Sequence, residues 1–202
     1  MKKTLLFSFM SLLIAYSFAQ SNYSYSIKLS PLPVFAEYSD QLSYFNQQSR
    51  IGLTFEKNVN RKATPFFTVS YVGPVGYWTY LRGGIHGYRL HGVGLAAGIK
   101  IYQHEALQGI YLAPVLQYAF YTKRDPNLDK AIRTQVQELT PALLVGKQII
   151  FPKGLTVDLF TGMGLIGRRY KDIADVDFSR HYTFGIRPFL GMQIGFSQKK
   201  AE

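Results

Sequence analysis

Two groups of residues in this chain carry chemistry that a folded protein could use. The first is His181 with Thr183, in the segment Arg180-His181-Tyr182-Thr183-Phe184-Gly185. An imidazole beside a hydroxyl has the composition of a general base and its nucleophile, and on a strand two residues apart share a face. Threonine is a poor acyl-transfer nucleophile without further activation, and no acidic partner is fixed by the sequence. His181 and Thr183 are therefore expected to close a loop onto a strand, with no catalytic residues assigned. His86, His91 and His104 are dispersed and cysteine is absent, so no metal and no cofactor is expected. The second group is six charges, Arg50, Glu56, Lys100, Glu138, Asp158 and Arg187, whose meaning depends on the strands that carry them.

After Gln20 the sequence has no helical period of any length; it alternates with period two, the spacing of a strand with two different faces. Over 90–102, Val93, Leu95, Ala97, Ile99 and Ile101 alternate with Gly92, Gly94, Ala96, Gly98 and Lys100. The segments 155–166 and 184–197 follow the same rule, with Leu155, Val157, Leu159, Met163 and Leu165 on one face of the first and Asp158 on the other. Less regular segments at 26–35, 49–56, 65–73, 108–122 and 136–150 bring the total to eight strands. Pro31 and Pro33 make the first the weakest, since neither can donate to a ladder. Connections of 13, 8, 16, 5, 13, 4 and 17 residues then separate them, alternating long and short as an antiparallel up-and-down barrel requires.

An eight-stranded barrel can be soluble or can span a membrane, and the two differ in which face is wet. The five most regular strands carry only Lys100, Glu138, Lys147, Asp158 and Arg187 as charges, too few for a water-facing exterior. The non-aliphatic face is mostly Gly, Ala, Thr and Gln, which suits a narrow lumen. The expected fold is therefore all-β, an eight-stranded antiparallel transmembrane up-and-down β-barrel. By parity Arg50, Glu56, Lys100, Glu138, Asp158 and Arg187 face its interior. Opposite charges there would cross-link as an electrostatic plug, because isolated charges in a poorly solvated lumen are costly. A narrow porin-like channel is the alternative.

The N-terminus points to export. Lys2 and Lys3 precede an apolar stretch from Leu5 to Phe18, and small residues at Ser17 and Ala19 stand ahead of Gln20, the pattern of a signal peptide over 1–19 with the barrel domain over 20–202. Removing it takes the net charge from +11 to +9. Mean hydropathy near zero excludes a bundle of membrane helices, each of which needs about 20 apolar residues in a row. Aromatics cluster toward the ends of the strands: Tyr71, Tyr77, Trp78, Tyr80, Tyr88, Tyr121, Tyr170, Tyr182 and Phe184 near one rim, Tyr102, Tyr111, Phe151 and Phe196 near the other, as interfacial girdles would require. The long connections 123–135 and 167–183 are basic. For an exported barrel the available anions are lipopolysaccharide phosphates, not nucleic acid.

The segments Gly109-Ile110-Tyr111-Leu112-Ala113-Pro114 and Gly154-Leu155-Thr156-Val157-Asp158-Leu159-Phe160-Thr161-Gly162-Met163-Gly164, with the signal peptide and eight alternating strands, resemble small outer-membrane barrels of unknown function and, more distantly, the OmpA and OmpX barrels. The resemblance implies a monomer in the outer membrane of a Gram-negative bacterium, assembled by the barrel assembly machinery and surrounded by outer-membrane lipids. It implies a structural or surface-interaction role. The Arg180–Gly185 segment is also similar to the pattern of outer-membrane lipid A deacylases, in which His and Ser stand two apart; Thr183 occupies the Ser position.

Overall fold

The computed structural model describes residues 23–30, 34–35, 50–59, 62–73, 77–81, 84–124, 133–172 and 181–199. The proposed signal peptide lies outside the described residues. Ten strands are present: β1 (Tyr23–Ser30), β2 (Val34–Phe35), β3 (Arg50–Lys57), β4 (Ala63–Val72), β5 (Tyr77–Leu81), β6 (Gly84–Tyr102), β7 (Gly109–Arg124), β8 (Arg133–Ile150), β9 (Leu155–Asp172) and β10 (His181–Lys199). Eight of them pair in chain order, β1-β3-β4-β6-β7-β8-β9-β10, all antiparallel. β1 also pairs with β10, from Tyr23 opposite Lys199 to Leu29 opposite Ile194, so the sheet closes on itself without an edge. The other two are accessory: β2 adds to β10 and β5 to the first half of β6.

Alternation decides what faces where. One apolar residue from each stave, Ile27, Leu53, Phe67, Val93, Leu112, Leu143, Leu165 and Leu190, is between 42% and 65% exposed. Their sequence neighbours Lys28, Thr54, Thr68, Ala113, Leu144, Ile166 and Phe189 turn inward, as the paired backbone demands of a period-two chain. The interior is small and polar, and apolar side chains fill it in two patches. One gathers Tyr102, Ala106, Tyr111, Ala113, Val115, Leu144 and Phe189; the other gathers Val72, Leu90, Ala119, Tyr121 and Val136.

The eight staves match the expected set, but their bounds differ. The first stave ends at Ser30, with Val34–Phe35 as a separate short strand on β10. β6 begins at Gly84 rather than at 90, β7 runs to Arg124, β8 starts at Arg133, β9 runs to Asp172 and β10 starts at His181. Backbone pairing does not depend on side-chain polarity, so these ladders continue past the point where the apolar alternation stops. Lys123, Arg124, Arg168, Arg169 and Lys171, expected in loops, thus stand on strands. The connections still alternate. Those at 58–62, 103–108 and 151–154 are short and share one end with both termini of the sheet. The tightest turns through Phe151-Pro152-Lys153-Gly154, with Lys153 and Gly154 both at positive φ (69° and 87°). A Cβ on Gly154 would stand 2.4 Å from the Ser197 carbonyl oxygen, so only glycine fits there.

Candidate functional site

The lumen holds eight buried charged residues among those described: Lys28, Arg50, Glu56, Lys100, Glu138, Asp158, Arg168 and Arg187. All six charges expected from parity face inward and are buried. Lys28 and Arg168 were not among the expected six. They divide into two clusters along the barrel.

Toward the short-turn end, Lys28, Glu56, Lys100 and Asp158 form a neutral quartet. Lys28 Nζ lies 2.7 Å from Glu56 Oε2 and 2.9 Å from Asp158 Oδ2, while Lys100 Nζ lies 2.5 Å from Glu56 Oε1 and also pairs with Asp158 Oδ2. Each cation thus bridges the same two carboxylates. Gln148 Oε1 accepts from Lys28 Nζ at 2.7 Å and from the Tyr102 hydroxyl at 2.7 Å, and the Tyr111 hydroxyl donates to Asp158 Oδ1 at 2.8 Å. Lys100 Nζ also lies 4.4 Å from the centroid of the Tyr111 ring, a cation–π contact. Six staves contribute: β1 supplies Lys28, β3 Glu56, β6 Lys100 and Tyr102, β7 Tyr111, β8 Gln148 and β9 Asp158.

Tyr111 reaches this cluster because the wall opposite it is bare. A Cβ on Gly146 would stand 2.4 Å from both Cζ and Oη of Tyr111, a distance no packed atom pair tolerates. Gly146→Val is therefore expected to push the phenol off Asp158 and to lower stability by about 1–3 kcal/mol. A thermal melt of the detergent-solubilised chain checks this; a midpoint equal to the parent's would contradict it.

Toward the other end, three guanidinium groups converge on one carboxylate. Arg187 forks onto Glu138, Nη1 to Oε1 at 2.5 Å and Nη2 to Oε2 at 3.1 Å. Arg50 Nη2 donates to Oε1 at 2.7 Å, Arg168 Nε to Oε2 at 3.1 Å, and the Tyr121 hydroxyl to Oε2 at 3.2 Å. Arg187 is 0% exposed and Glu138 1%. Bidentate guanidinium–carboxylate pairing is the arrangement best able to offset the loss of hydration.

Between the clusters is a cavity of about 80 Å³, reaching Arg50 on one side and Lys100 and Asp158 on the other, with Ser30, Thr68, Ser70 and Gln193 among its walls. Gln193 Nε2 donates to Ser30 Oγ and Thr54 Oγ1 on the next two staves, β1 and β3, at 3.0 and 3.1 Å. At roughly 15 Å³ per water it has room for about five. Ion-paired side chains of both clusters, Arg50 of one and Lys100 and Asp158 of the other, line it.

Four aromatics stand elsewhere than expected. Tyr102, Tyr111 and Tyr121, assigned to the rims, are 4% exposed or less and point into the lumen, and Tyr170, half-buried, packs against the interior patch of Val72, Leu90, Ala119, Tyr121 and Val136; their positions continue the inward parity of Lys100, Ala113, Ala119 and Arg168, and phase prevails over nearness to a strand end. Tyr71, Tyr182, Phe184 and Phe196 do face outward. The side chains of Tyr77, Trp78, Tyr80 and Tyr88 lie outside the described residues. His181 and Thr183 open β10, opposite Tyr170 and Arg168 respectively, and Thr183 is exposed; the His181 side chain lies outside the described residues. Among the described residues no group of three or more His, Asp or Glu is arranged to hold a metal ion.

No protein-family model matches the chain. A search of the curated proteins also finds no match.

Proposed function

We propose that the chain is an integral outer-membrane β-barrel with a structural or surface-interaction role, its lumen plugged by the two ion-pair clusters. One observation carries this reading: polarity is inverted relative to a protein in water. Large apolar side chains are exposed around every stave, whereas Lys28, Glu56, Asp158 and Arg187 are 0% exposed inside. Exposing so much apolar surface to water would cost about 25 cal/mol per Å², and contiguous patches beyond a few hundred Å² are not left bare on soluble monomers. Hydrocarbon is the solvent that suits such a belt, and a closed sheet pairs its staves with one another and presents no open edge to it.

The Lys2-Lys3 and Leu5–Phe18 pattern supports export through a signal peptide over 1–19, and the resemblance of the Gly109–Pro114 and Gly154–Gly164 segments to small outer-membrane barrels supports the outer membrane of a Gram-negative bacterium. By that likeness the short turns face the periplasm and the longer connections the exterior, where lipopolysaccharide is the available anionic partner. The barrel would act as a monomer, be inserted by the assembly machinery, and need neither cofactor nor nucleic acid. Catalysis is not assigned to His181 and Thr183.

Reconstitution of the full chain in a planar bilayer tests the plug. The expected result is insertion without stable conductance. Stable, salt-dependent channels would instead establish the narrow pore, and acyl-chain release from purified lipid A, lost on changing His181 or Thr183, would establish an enzyme.

A further inference from the structure

On the outward surface of β8, β9 and β10 three cross-strand rows stack toward the barrel's middle. Gln137, Arg169 and Tyr182 stand side by side in the first row, since Arg169 pairs with both neighbours. Leu139, Gly167 and Phe184 form the second. Pro141, Leu165 and Ile186 form the third, where the β8–β9 ladder skips two pairs because Pro141 has no N–H to give. Outward polarity therefore changes from polar to apolar within one row, and the central position of the second row has no side chain.

That gap opens a slot. A hollow of about 240 Å³ runs from Arg169 and Tyr182 down to Leu139, Gly167 and Phe184, and a second of about 560 Å³ continues from those three to Pro141, Leu165 and Ile186. Phe184 is 85% exposed and Leu165 65%, so the slot has apolar side walls standing proud of a glycine floor. Arg169 at its head makes no ion pair with any described residue. A guanidinium with no ion-pair partner among the described residues, at the head of an apolar slot, complements one kind of ligand: a phosphate with an acyl chain attached.

We propose that this slot binds a single phosphate-bearing membrane lipid, its phosphate on the Arg169 guanidinium and one acyl chain lying over Gly167 between Leu139 and Phe184. The site rests on the membrane reading above and adds to it a defined lipid position. Arg169 supplies charge-assisted hydrogen bonds to the phosphate, and Tyr182 lies beside it at the depth where an amphipathic ring is favoured. The chain covers apolar surface that neighbouring residues leave bare because Gly167 contributes none.

Native mass spectrometry of the full chain in neutral detergent, titrated with phosphatidylglycerol or phosphatidylcholine, tests this. Wild type should retain one phosphatidylglycerol in preference to phosphatidylcholine. Arg169→Gln should weaken phosphatidylglycerol retention about tenfold and abolish the preference. Gly167→Leu should weaken both lipids, because leucine fills the slot; its Cβ would sit 3.4 Å from the Phe184 ring, an ordinary contact that leaves the strand intact. Retention equal to wild type in both variants, or displacement of the lipid by inorganic phosphate alone, would overturn the site. Failure of the chain to enter phosphatidylcholine vesicles overturns the membrane reading as well, whereas entry without lipid preference overturns the site alone.

Discussion

Glu138→Gln is expected to lower unfolding stability by about 3–5 kcal/mol. The side chain keeps its shape, so the loss is one of charge. In the parent, Arg50, Arg168 and Arg187 all donate to the Glu138 carboxylate and Tyr121 adds a hydroxyl. With an amide there, three guanidinium groups face one another across a narrow, poorly solvated space and lose the negative charge they share. The amide nitrogen also turns one acceptor into a donor, so the Arg187 fork keeps only one prong. Urea unfolding of the detergent-solubilised chain measures the effect; Glu138→Asp should recover part of the loss, and an unchanged midpoint for Glu138→Gln would contradict it.

Asp158→Leu is expected to cost a similar amount, again about 3–5 kcal/mol, by leaving uncompensated buried charge. Lys28 and Lys100 would then depend on Glu56 alone, and the Tyr111 hydroxyl would lose its acceptor. Combining it with Lys100→Met should cost less than the sum of the two singles, because the remaining Lys28–Glu56 pair is neutral again. Melting curves of the two singles and the double give the coupling directly. Unchanged melting of Asp158→Leu with altered bilayer conductance would mean that the quartet controls a pore rather than fills one.

The parity of the alternation was enough to find Arg50, Glu56, Lys100, Glu138, Asp158 and Arg187, because burial in a barrel follows from phase alone. The same rule could have found two more charges. Ile27 and Leu29 face outward, which turns Lys28 inward; the prolines at 31 and 33 obscured that stave's phase. Arg168 continues the inward series of Gly164 and Ile166, and was missed because the apolar pattern stops before the ladder does. Tyr102 and Tyr111 are inward by phase too, yet their nearness to strand ends suggested a girdle. Which charges meet is a different matter: Lys28 and Asp158 are 130 residues apart in sequence and touch across the bore, a pairing set by the barrel's stagger. Nor does alternation disclose the Gly167 slot, which depends on three strands being in register.

If the barrel spans a membrane as proposed, its apolar exterior faces lipid. Because the chain has no cysteine, single cysteines along β8 can carry spin labels without background. In vesicles, labels at Leu139, Leu143 and Val145 should be relaxed by oxygen, which concentrates in hydrocarbon, and not by a water-soluble nickel chelate. Labels at the alternate positions Thr140 and Leu144 should be shielded from both. Relaxation of the Leu139, Leu143 and Val145 labels by the nickel chelate would place those side chains in water and contradict a lipid-facing exterior.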